Sequence, residues 1–63
     1  MRTATVICPA NDAPPVDSCY RFAEGGERFT GVVDAVRPLD AAHTRITVSL
    51  TSADHERLLA ARR

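Results

Sequence analysis

The chain has 63 residues, enough for one domain (residues 1–63) and no more, and its eight basic and eight acidic residues leave it formally neutral. Neutrality excludes a global field that would draw nucleic acid or an anionic membrane, and no apolar run approaches the length that spans a bilayer. A domain this short buries only about 60% of its extended surface, so its stability is expected to be small without a staple or a partner.

In chain order, residues 3–8 are β-branched and apolar and read as a first strand that Pro9 ends. The apolar block at this end is too short for an export signal, so the expected location is cytoplasmic. Residues 9–17 hold three of the four prolines and two aspartates, the composition of an extended connection. A loop of that length is either functional or a crossover between sheet edges, and the crossover is the simpler reading.

Residues 19–24 and 27–37 flank Gly25-Gly26, and two glycines between β-prone runs suit a two-residue turn with positive φ at both positions. In that register Glu24 faces Glu27, Ala23 faces Arg28, Phe22 faces Phe29, Arg21 faces Thr30 and Tyr20 faces Gly31. The aromatic pair favours it by roughly 0.2–1 kcal/mol, and the two glutamates count slightly against it.

Residues 44–51 alternate apolar and polar, the period of a strand with one buried face. Folded back across residues 38–43, this strand is expected to set Ala35 beside Ile46, Val33 beside Val48 and Gly31 beside Leu50. Both hairpins then share one core face, made of Phe22, Phe29, Val33, Ala35, Ile46, Val48 and Leu50. Val32 and Val36 fall on the other face, where something is expected to cover them.

Residues 53–62 read as a helix, with Thr51 or Ser52 as cap, Asp54 and Glu56 in the first turn, and Arg62 and Arg63 in the last. Leu58 and Leu59 are its expected anchors, each worth roughly 1.5–3 kcal/mol if fully buried. The expected fold class is therefore α+β, mainly β: a small twisted antiparallel sheet or partial barrel, ordered β-loop-β-β-β-α.

Catalysis finds little support. Cys8, Cys19, His43 and His55 supply the atoms of a zinc site, but ten residues separate the cysteines and eleven the histidines, far from the short spacings of structural zinc. A Cys8–Cys19 disulfide would add about 3 kcal/mol by loop closure, but a chain without an export signal is expected to keep both reduced. No nucleophile elbow or phosphate-binding glycine loop is present, and a pocket of roughly 300 Å³ is a large demand on so short a chain. No cofactor and no metal are expected, and the chain is read as a non-enzyme.

Two binding classes remain. The first is a protein-binding module, a regulator or inhibitor that occludes a larger protein machine; Val32 and Val36, the acidic turn and the open sheet edges support it, and a homodimer through such an edge is allowed. The second is a nucleic-acid-binding small barrel, with Arg21, Thr30, Arg45 and Thr47 toward phosphates and an exposed Tyr20 stacking on a base. Asp34 on that face and zero net charge favour the protein partner. All eight basic residues are arginine, which suits bidentate contacts but also follows from GC-rich coding.

Overall fold

A computed structural model describes residues 1–63. The elements are β1 (Arg2–Pro9), a 3-10 turn (Ala10–Asp12), β2 (Cys19–Glu24), β3 (Glu27–Pro38), β4 (His43–Leu50) and α1 (Ser52–Ala61). They form one open antiparallel sheet in the order β1-β4-β3-β2, with α1 on one face. Strands β2, β3 and β4 follow one another as hairpins, and β1 completes the far edge beside β4. The proline-rich connection thus runs from one sheet edge to the other.

The first hairpin has the register expected from its glycines. Gly25 and Gly26 take φ of 58° and 80°, and every pair from Glu24↔Glu27 to Tyr20↔Gly31 is formed. The like-charged glutamates are reconciled by the helix. Arg62 donates to Glu24 at 2.6 and 2.9 Å, while Arg57 pairs with Glu27 and lies 4.7 Å from the Phe29 ring centre. Arg57 and Arg62 also donate to the backbone carbonyls of Arg28 and Thr5, at 3.2 and 2.8 Å. Arg57 of α1 and Arg62 at its C-terminal cap therefore tie down a hairpin tip and an edge strand.

The second hairpin departs from simple alternation. Val33 pairs with Val48 as expected, but a bulge at Asp34 then sets Ala35 against Thr47 and Val36 against Ile46. The expected Ala35–Ile46 pair is therefore not formed, and Val36 lies on the core face rather than on the open one. The physical reason is burial. The extra residue exchanges a methyl for an isopropyl group over Ile46, at about 0.8 kcal/mol per buried CH₂. The bulged Asp34 carboxylate accepts the Ser49 hydroxyl.

The core under α1 combines Val6 and Cys8 of β1, Phe29 of β3, Ile46, Val48 and Leu50 of β4, and Leu58; Val33 of β3 is also fully buried. Thr51 caps the helix by accepting the Asp54 amide at 3.1 Å. Of the two expected anchors only Leu58 is buried; Leu59 is 44% exposed, because successive helical residues point about 100° apart and one short helix buries a single stripe. Gly31 is fixed by space: a Cβ there would stand 2.2 Å from Val48 Cγ1 and 2.6 Å from the Ser49 carbonyl.

Candidate functional site

The strands alternate, so the face that α1 leaves uncovered can be read from the registers. It carries Thr3, Thr5 and Ile7 of β1; Arg45, Thr47 and Ser49 of β4; Arg28, Thr30, Val32, Ala35 and Arg37 of β3; and Cys19, Arg21 and Ala23 of β2. Four arginines thus share one face. None of the four makes a side-chain hydrogen bond or an ion pair within the protein; of the three carboxylates in these strands, Glu24 and Glu27 are held on the covered side by Arg62 and Arg57, and Asp34 is bonded to Ser49.

They stand as two pairs. Arg37 and Arg45 are directly opposed on β3 and β4, an arrangement that is unfavourable unless an anion bridges it. Arg28 faces Ala23 and Arg21 faces Thr30, which places the second pair diagonally across the β2–β3 ladder. Nine residue steps along β3 separate Arg28 from Arg37, roughly 30 Å at 3.3 Å per residue, so the pairs lie near opposite ends of the sheet. Thr5, Thr30, Thr47, Ser49 and Val32 fill the space between with short side chains.

The Arg21–Arg28 pair lines an open groove of about 550 Å³ together with Phe22, Ala23, Phe29 and Thr30. This is an open recess on the surface rather than an enclosed pocket. Ala23 and Thr30 are small, so the groove is low in its middle and cationic at its sides.

Of the candidate residues, Arg21, Val32, Arg45 and Thr47 are on the open face, with Val32 37% exposed. Tyr20 and Val36 are not. Tyr20 faces Gly31 on the covered side, stacks on Phe22 with ring centres 5.8 Å apart and packs against the core. Burial first, and then the nearby Cys8 thiol and Asp12 carboxylate, hold its hydroxyl above the usual tyrosine pKa. Arg28 and Arg37 were missed as members of the face. The parity of Arg28 was available from the first hairpin, whereas Arg37 reaches the face only through the Asp34 bulge.

No three or more His, Cys, Asp or Glu side chains come together as a set that could hold a metal ion. Cys8 is buried in the core and Cys19 is exposed on β2; both are free. At the β3–β4 turn, Asp40 accepts the amides of Ala42 and His43 at 2.8 and 2.7 Å, which holds its carboxyl below the usual range. No helix is long and apolar enough to cross a membrane. Comparison with protein-family models, with curated proteins and with solved structures finds no match, so the site rests on its own geometry.

Proposed function

We propose that the protein is a small binding module without chemistry of its own, and that its open sheet face docks on an acidic surface of a larger protein and regulates it by covering that surface. The observation that carries this reading is the set of four arginines, Arg21, Arg28, Arg37 and Arg45, unpaired on one face of a neutral chain. Guanidinium groups are weakly hydrated and fork-shaped, which suits them to carboxylates at an interface that excludes water. The two longest extents of the molecule, 31 and 22 Å, bound the face at about 700 Å², near the roughly 800 Å² each partner contributes to a standard interface. Almost the whole face would be used. Tyr20, the ring on which a nucleic-acid reading depends, packs on the other side of the sheet.

The test is capture of a partner from nuclease-treated lysate by the parent and by Arg21→Glu/Arg45→Glu, one substitution at each end of the face. A defined protein retained by the parent and lost by the variant, with unchanged circular dichroism, supports the reading. Equal retention by both, or a catch that nuclease removes, overturns it.

A further inference from the structure

Strand β2 is an edge: it pairs with β3 alone, and no turn or loop backbone bond reaches its other side. The two-residue turn determines which groups this leaves free. Glu24 and Glu27 flank the turn as a hydrogen-bonded pair, and alternation directs the backbone groups of Tyr20 and Phe22 inward as well. The Val33 amide, donating to the Ser18 carbonyl at 2.9 Å, continues the same parity. Cys19, Arg21 and Ala23 therefore present their N–H and C=O groups along the open edge, with their side chains on the open face.

These residues join two features that are elsewhere separate, an unfilled row of backbone donors and acceptors and a cationic groove. Arg21 belongs to both. A strand laid along β2 would place alternate side chains on the open face beside Arg21 and Ala23. The low floor at Ala23 then gives them a path to Arg28. Charge selects what such a strand carries. The glutamates of the hairpin tip are engaged by Arg57 and Arg62 on the covered side, so nothing in the chain neutralises the groove. A second copy is disfavoured, since antiparallel pairing of two β2 strands brings Arg21 toward its counterpart.

We propose that the β2 edge accepts an extended acidic peptide of the partner as a fifth strand, its oxyanions seated between Arg21 and Arg28; this rests on the docking face described above. Main-chain bonds supply strand addition and the arginines supply selectivity for acidic side chains. Carboxylate and phosphate share the chemistry that the groove recognises.

The experiment is a titration of ¹⁵N-labelled protein with a blocked hexapeptide of alternating Glu and Thr. A second arm replaces Glu by phosphoserine, a third replaces Glu by Lys, and a fourth is a short DNA duplex. Saturable shifts at residues 19–23 and 28–30, with slowed amide exchange at Arg21 and Ala23, are expected from either acidic peptide and not from the Lys peptide. The tighter of the two identifies carboxylate or phosphate. Arg21→Ala or Arg28→Ala is expected to weaken binding about threefold and the pair about tenfold, while Arg2→Ala, on the opposite edge strand β1, leaves it unchanged. Unprotected Arg21 and Ala23 amides at saturation, perturbations centred on Arg37 and Arg45, or tighter binding of the duplex overturn the proposal. So does the absence of peptide binding. In that case, loss of partner capture in Arg21→Glu/Arg45→Glu still leaves the wider docking face in place.

Discussion

On the covered side of the sheet, Arg57 and Arg62 each hold a glutamate of the β2–β3 hairpin; on the open side, Arg21, Arg28, Arg37 and Arg45 hold no acidic partner. The same side chain serves internal attachment on one face and is left for something external on the other. A formal charge of zero is thus the sum of two unlike surfaces. Neutrality excludes a long-range field but not a local one, because exposed charges separated by more than about 10 Å are largely screened from each other at ordinary salt. The faces also differ in packing: one contains all the fully buried large side chains, and the other contains none of them.

The comparison breaks most readily at its buried side. Phe29 is 2% exposed and carries both the Phe22 stack and the Arg57 contact, so Phe29→Ala is expected to cost about 3–5 kcal/mol. In a chain of this size that removes most of the folded population, visible by circular dichroism and thermal melting. A variant that melts with the parent would show that the covered face is not the core.

The attachments made by α1 are weaker and sensitive to acid. The hydrogen bonds and charge of Arg62 hold Glu24 below its ordinary value of 4.5, so the folded state binds this proton less readily than the unfolded chain. The resulting stability is fully present above that value and is lost as pH falls through the lower folded one. Both side chains are about one-third exposed, and the pair is worth under about 1 kcal/mol after allowance for solvent screening. Urea midpoints measured from about pH 5 to pH 3 should fall more steeply for the parent than for Arg62→Ala. Parallel slopes would remove Glu24 as the acid-sensitive attachment; the Asp40 turn remains in both proteins and affects them alike.

The smallest expected effect has the opposite sign. Arg45→Thr relieves the opposed Arg37–Arg45 pair and introduces a β-branched residue, so stability should rise by a few tenths of a kcal/mol. Partner binding should weaken in the same variant. A loss of stability would mean that the two open-face arginines are supported within the fold after all.

Much of this arrangement is legible in the amino-acid order, for reasons that differ by element. The first hairpin is legible because Gly25-Gly26 accepts one turn geometry, and the turn sets every pair that follows. The alternation of β4 is equally plain, and it correctly places Ile46, Val48 and Leu50 in the core. The segment Val32-Val33-Asp34-Ala35-Val36 is ambiguous, since either Ala35 or Val36 can follow Val33 on the apolar side. Only the space over Ile46 decides. The place of β1 beside β4 is likewise a long-range choice with no local turn to announce it. On the site, Arg21, Val32, Arg45 and Thr47 follow from parity, while Tyr20, expected to be exposed, is half-buried through its stack on Phe22 and its packing against the core.

The bulge at Asp34 acts on β3 as a change of reading frame acts on a message. Upstream, odd-numbered residues face the core; downstream, even-numbered ones do, and that one-position offset turns Arg37 outward to stand beside Arg45. Drawing Asp34 into the regular ladder would restore the uninterrupted phase and carry Arg37 to the covered side, whereas deleting Asp34 would leave Ala35, Val36 and Arg37 opposite Thr47, Ile46 and Arg45. The composition of the docking surface is therefore encoded partly by side chains and partly by a single count along the backbone. The same residues on a β3 that paired Asp34 instead of bulging it would present a different face to the same partner.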